Sequence, residues 1–105
     1  MLDKIKNCFK KDKVLYSFHA KEEMRNEEFG LISDKEICEA IMSGEVIESY
    51  QQNEPYPSCL IYGKTGKGRP LHIVCAYSET EGLTVIITAY QPDESIWLDY
   101  RRRKK

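Results

Sequence analysis

The sequence predicts an α+β fold in which N-terminal helices pack on one face of a four-stranded, mainly antiparallel sheet, with a short helix at the C-terminal end. Three observations carry this expectation. Apolar residues recur at helical spacing as far as Gly44 and alternate from Val46 to Tyr90. Ser33-Asp34-Lys35-Glu36 has the form of a capping box, in which serine and glutamate each satisfy a free N–H of a helix's first turn. Turn-forming residues separate the strand-like runs, at Lys64 to Gly68 and at Ser78 to Gly82.

Leu2, Ile5 and Phe9 lie among lysines and give a short amphipathic helix from Met1 to about Lys11. Val14 to Phe18 is β-prone and is read as a short strand. Ser17 is placed to cap a second helix, His19 to Glu28, which Gly30 stops. In the third helix Ile37, Ala40 and Ile41 share a face, and Gly44 ends it. Gly30-Leu31-Ile32 joins these two helices as a hairpin. Strands then follow over Val46 to Tyr50, Cys59 to Gly63, Pro70 to Tyr77 and Leu83 to Tyr90. Pro92 ends the sheet, and Ile96, Trp97 and Tyr100 suggest a last helix within Asp93 to Arg103.

A register for the last hairpin follows from matching apolar faces. Tyr77 is set opposite Leu83, Cys75 opposite Val85, Ile73 opposite Ile87 and His72 opposite Thr88. Leu71, Ile73, Cys75, Tyr77, Leu83, Val85, Ile87 and Ala89 then form the face that helices cover. His72, Val74, Ala76, Thr84, Ile86, Thr88 and Tyr90 form the other.

The 105 residues suit a single domain, 41% hydrophobic and 31% charged, with no internal repeat or linker. No apolar run approaches the roughly 20 residues that cross a bilayer, and Met1 to Lys13 lacks the apolar stretch of a signal peptide. A cytoplasmic protein without membrane association is expected. The four cysteines, Cys8, Cys38, Cys59 and Cys75, lack the close pairing of a zinc site and read as reduced small hydrophobes. No metal and no cofactor are implied.

The formal charge of −1 hides an asymmetry. Residues 1–18 carry +3, residues 19–54 carry −7 and residues 55–105 carry +3, with Arg101 to Lys105 supplying five of the last segment's cations. A basic tail serves either as a solvated end or as a grip on a polyanion.

No strong catalytic motif is present. Lys64 to Gly68 lacks the spacing of a phosphate-binding loop and reads as a hairpin turn. His19 falls in the first turn of a helix, with Arg25 further along it. His72 falls on the open sheet face beside Thr88 and Tyr90, with Arg69 at the start of its strand. Cleavage of RNA by internal transfer needs a base, an acid and cations against the charge developing on phosphorus. Histidine, with an unperturbed pKa of about 6.5, suits the first two roles, and arginine matches phosphate oxygens with its planar fork. Each residue also has a plain structural reading. His19 caps its helix, His72 bonds a neighbour in the sheet, Tyr90 and Trp97 pack, and Glu22, Glu23, Glu27 and Glu28 form a solvated helix face.

Several segments occur together in order: Ser17-Phe18-His19-Ala20, Met24-Arg25, the capping box, Gly44 to Tyr50, Pro57-Ser58-Cys59-Leu60, Gly68 to Val74, Ile87 to Pro92, and Trp97 to Arg102. Over about residues 16–103 the chain thereby resembles the family called domain of unknown function 4258. That family is similar in fold to the RelE/BrnT group of bacterial toxins, small ribonucleases neutralised by an antitoxin. The resemblance implies a RelE-like sheet with any RNA site opposite the helices, and a small antitoxin as partner. By motif match it brings forward His19, Arg25, Arg69, His72 and Tyr90, of which His19, Arg25, His72 and Tyr90 are the catalytic candidates. Arg69, together with Thr88 from the His72 face and Arg101, Arg102 and Arg103 from the basic tail, supplies the candidate contacts for RNA and its phosphates. The expected activity is a metal-independent endoribonuclease of a toxin–antitoxin pair, acting on RNA or ribosome-bound message. The alternative is a protein- or RNA-binding module without chemistry on the same scaffold.

Overall fold

The computed structural model describes residues 1–104. Three helices, α1 (Leu2–Lys10), α2 (Phe18–Asn26) and α3 (Asp34–Met42), lie on one face of a five-stranded sheet. Its strands are β1 (Val14–Tyr16), β2 (Glu45–Tyr50), β3 (Ser58–Lys64), β4 (Pro70–Ser78) and β5 (Leu83–Tyr90), in the order β1-β5-β4-β3-β2. A separate two-stranded ribbon follows, β6 (Trp97–Leu98) and β7 (Arg102–Arg103). No helix among the described residues is long and apolar enough to cross a membrane.

Local chemistry sets the helix starts. Ser17 Oγ accepts from the Ala20 N–H at 3.0 Å and opens α2. At α3 the box is complete, with Ser33 Oγ accepting from the Glu36 N–H at 3.2 Å and the Ser33 N–H donating to Glu36 Oε1 at 3.0 Å. The buried faces of the helices, Ile5, Ala20, Met24, Ile37, Ala40 and Ile41, meet Cys59, Ile61, Leu71, Ile73, Cys75, Ile86 and Ala89 from the sheet. Cys59 and Cys75 stand opposite each other on β3 and β4 as free thiols, and burial raises the pKa of both.

The sheet has one strand more than expected. The Val14 segment pairs with β5 in parallel, Val14 opposite Thr84 and Tyr16 opposite Ile86, so the edge of the sheet is built from residues about seventy positions apart. The last hairpin is also shifted. Tyr77 lies opposite Thr84 and Cys75 opposite Ile86, then a bulge places Val74 opposite Thr88 and His72 opposite Tyr90. Leu71, Ile73, Cys75 and Ala89 keep their expected face, but Ile86 turns into the core, where it is fully buried, while Val85 lies half-buried. One extra residue on β5 reverses the alternation that face-matching assumed.

The expected C-terminal helix is a hairpin. Ile96 and Leu98 remain exposed and only Trp97 is buried, so the segment has no apolar stripe for a helix to bury. Its chain instead reverses through Asp99 and Tyr100, both left-handed, with φ of 52° and 62°. Such backbone costs a non-glycine residue about 1–2 kcal/mol.

Candidate site on the sheet face opposite the helices

Residues 93–104 form a strap across the face of the sheet that the helices leave uncovered. Beneath it, register sets Glu45, Tyr62, His72 and Tyr90 in one row across β2, β3, β4 and β5. A second row holds Glu48, Leu60, Val74 and Thr88. Neighbours in a row have side chains on the same face, which is why residues 45 and 90 arrive at one surface.

His72 is the centre of this surface and is fully buried. Its Nδ1 lies 3.1 Å from Tyr90 Oη and its Nε2 lies 2.6 Å from the Tyr100 carbonyl. The carbonyl can only accept, so Nε2 carries the hydrogen and the Tyr90 hydroxyl donates to Nδ1. The Trp97 ring stands perpendicular to the imidazole at 4.3 Å between centroids, and Tyr62 and Tyr90 meet it edge-on. Burial lowers the His72 pKa, with Arg103 adding to that effect and the Tyr100 carbonyl and Glu48 opposing it. Tyr90 is shifted upward by burial, so its phenol keeps its proton.

The strap's arginines flank this centre. Arg101 pairs with Glu45 and its guanidinium lies 4.9 Å from the Tyr62 ring centroid. Arg103 lies 3.3 Å from Glu48 and 4.7 Å from the Trp97 ring centroid. Burial alone would raise the Glu48 carboxyl, but the Tyr50 hydroxyl and Arg103 outweigh it and hold the pKa below its usual value. Next to this arrangement a cleft of about 290 Å³ is lined by Ser43, Glu45, Tyr62, Gly63, Lys64 and Arg101. Arg102 and Lys104 are exposed, and Lys105 lies outside the described residues.

The remaining candidates sit elsewhere. His19 is exposed on α2, 3.4 Å from Glu23, in a shallow depression with Glu22, Asn26 and Glu27. Arg25 donates to Glu22 at 2.8 Å. Both belong to the helical layer, on the other side of the sheet from His72. Arg69 is largely buried and already engaged. Its Nε donates to Gln91 Oε1 at 2.7 Å, its Nη1 to the Leu31 carbonyl at 3.0 Å and to Glu36 Oε2 at 3.2 Å, and its Nη2 to the Gly30 carbonyl. Arg69 therefore ties the helix hairpin, the α3 cap and the end of β5 together. Thr88 is half-buried on the strap face, one row from His72.

Two residues read as solvated have defined partners. Glu23 Oε1 accepts from the Ala89 N–H at 3.1 Å and Glu27 Oε1 from the Gln91 N–H at 3.3 Å, along the edge of β5 that β1 is too short to cover. Glu23 lies in the last turn of α2 and Glu27 just past its end, and nothing local in the sequence marks the edge they serve.

Residues 16–91, well over half of the chain, match the family described as domain of unknown function (DUF4258). The chain belongs to the DUF4258 family. Neither a curated protein nor a solved structure matches it significantly. In this DUF4258 protein the matched region runs from the end of β1 to Gln91, so the sheet-face row of Tyr62, His72 and Tyr90 lies inside it and the strap lies beyond it.

Proposed function

We propose that this DUF4258 protein is an RNA-directed, toxin-like protein of a toxin–antitoxin pair, a metal-independent endoribonuclease on a RelE-like scaffold. The observation that carries the reading is the row Tyr62–His72–Tyr90 flanked by Arg101 and Arg103 on the helix-free face. Aromatic rings interleaved with guanidinium groups are the combination that stacks bases and clamps phosphates, and displacement of the strap, which buries Tyr62, His72 and Trp97, would expose it.

The chemistry follows from the two hydrogen-bonded groups. With the strap displaced and the Tyr90 hydroxyl turned from Nδ1 toward the scissile phosphate, the freed Nδ1 lone pair of neutral His72 takes the proton of a ribose 2′-hydroxyl, and the 2′-oxygen attacks phosphorus. The 5′-oxygen leaves with a proton from Tyr90, producing a 2′,3′-cyclic phosphate. Arg101 and Arg103 offset the charge on the non-bridging oxygens. The lowered His72 pKa keeps the base form at neutral pH, and the raised Tyr90 pKa keeps the donor protonated. The partner in this reading is a small antitoxin.

A second reading is favoured by the enclosure of His72, whose two ring nitrogens are both occupied. On that reading the same face binds RNA without cutting it. Tightly controlled expression of the wild type and of His72→Ala, with both checked for soluble accumulation, separates the two. Growth arrest and new RNA termini with the wild type alone support cleavage. RNA retention without new termini supports the binding module, and no effect on growth or RNA removes both.

A further inference from the structure

The strap is held at its centre by the Tyr100 carbonyl, which accepts from buried His72 Nε2 at 2.6 Å, and by the Trp97 indole, while its flanks are held by two ion pairs. One indole is buried, while Ile96 and Leu98 on either side of it are about half exposed, at 52% and 44%. Of the two carboxylate pairs, Arg101–Glu45 is exposed on both sides, at 53% each, whereas Arg103–Glu48 joins a 60% exposed arginine to a glutamate that is 29% exposed. Its turn holds two consecutive left-handed residues without a glycine. The strap also has only two residues in each of its strands, and it lies beyond the region that matches the family.

The ligands of the strap's arginines are carboxylates, and a guanidinium fork accepts phosphate oxygens in the same geometry. Exposed ion pairs are weak and are screened by salt, so a polyanion bringing several phosphates at once competes with them effectively. We infer that the strap is an arginine arm that exchanges Glu45 and Glu48 for RNA phosphates, and that this exchange lifts Trp97 from His72 and opens the sheet-face site. The inference rests on the RNA reading above. It gives the acidic residues of β2 a task, since they hold the arm down when no RNA is present. The closed arm protects the His72 row, and the ligand itself releases it.

Trp97 is the chain's single tryptophan and reports directly on the arm. The full chain is titrated with a short single-stranded RNA, following binding by the anisotropy of a label on the RNA and arm position by Trp97 emission and acrylamide quenching. The expected result is binding accompanied by a red shift and easier quenching. The double variant Glu45→Gln/Glu48→Gln should show easier quenching without RNA, and should bind RNA roughly two- to tenfold more tightly. RNA that binds with no change in Trp97 overturns the arm and leaves the RNA reading standing. Equal quenching of wild type and double variant without RNA overturns the role of the two glutamates and with it the exchange. No binding by either protein overturns the RNA reading itself, and the exchange falls with it.

Discussion

Replacing Arg69 by alanine tests whether this side chain serves the fold or a phosphate. Its guanidinium donates to Gln91, Leu31, Glu36 and Gly30, and the Arg69 and Glu36 side chains are only 17% and 26% exposed. Removing one partner of a fully buried pair costs about 3–5 kcal/mol. Here Glu36 retains the Ser33 N–H, and the two loop carbonyls lie at the surface where water replaces the lost donors. A loss of about 2–3 kcal/mol is therefore expected, in line with one or two charge-assisted bonds. For a domain of this size that lowers Tm by roughly 10–15 °C. The pH dependence supplies an independent check. Burial pushes the Glu36 carboxyl up, but the Ser33 N–H and Arg69 pull it further down, so its folded pKa lies below its unfolded value. Its contribution is fully present above the ordinary carboxylate range and is lost as pH falls through the folded pKa. The gap between wild type and Arg69→Ala, read as urea midpoints, should therefore be widest at neutral pH and narrow toward pH 3. A variant whose Tm stays within about 2 °C of wild type while its RNA affinity collapses would refute the structural role and restore Arg69 as a phosphate contact.

Three further outcomes follow from individual sites. The His72 pKa is lowered by burial, so its neutral form stabilises the fold above about pH 6.5 and the benefit declines as pH falls toward the folded pKa. The urea midpoint of wild type relative to His72→Phe should accordingly shrink from pH 7.5 to pH 5.5, and a constant difference would contradict the buried neutral imidazole. Gly63→Ala would set a methyl carbon 1.8 Å from the Ala40 carbonyl oxygen, where β3 passes the end of α3. It should cost about 3 kcal/mol or more or prevent soluble expression, and near-wild-type thermal unfolding would contradict the close approach. Glu23→Ala should leave the Ala89 N–H without an acceptor and cost about 1–2 kcal/mol in urea unfolding. Faster exchange of the Ala89 amide in the variant marks the cause, and unchanged protection would rule it out.

What was legible in the sequence was the local part. The Ser33–Glu36 box, the Ser17 cap and the four strands of the antiparallel run depend on residues within a few positions of one another, and each formed where expected. The partner of Val14 to Tyr16 lies at Thr84 to Ile86, and a β-prone triplet carries no mark of a strand so distant. The β5 bulge was hidden for another reason. Ile86 and Ile87 are equally apolar, so the alternation reads well in either register until packing selects Ile86 for the core. For the site, the face bearing His72, Thr88 and Tyr90 was readable from period two. The spacing of Ile96, Trp97 and Tyr100 mimics a helix, which concealed a strap held by pairs with β2, more than fifty residues earlier. The −7 of residues 19–54 has a similar explanation. Glu36, Glu45 and Glu48 are matched with Arg69, Arg101 and Arg103, so charge that looked available to a basic partner is partly neutralised within the chain.

The parallel pairing of β1 with β5 bears on how the chain matures as it is made. α1, β1 and α2 emerge first from the ribosome, yet Ser17, Glu23 and Glu27 find their acceptors and donors on Ile87, Ala89 and Gln91. Until those residues are synthesised, the apolar sides of three short helices have only β2, β3 and β4 to rest on, and helices of nine residues are marginal by themselves. β5 therefore supplies the last wall of the core. A chain truncated before Leu83 should keep the apolar sides of its helices open to chaperones and proteases, whereas one that carries β5 free of the ribosome can bury them.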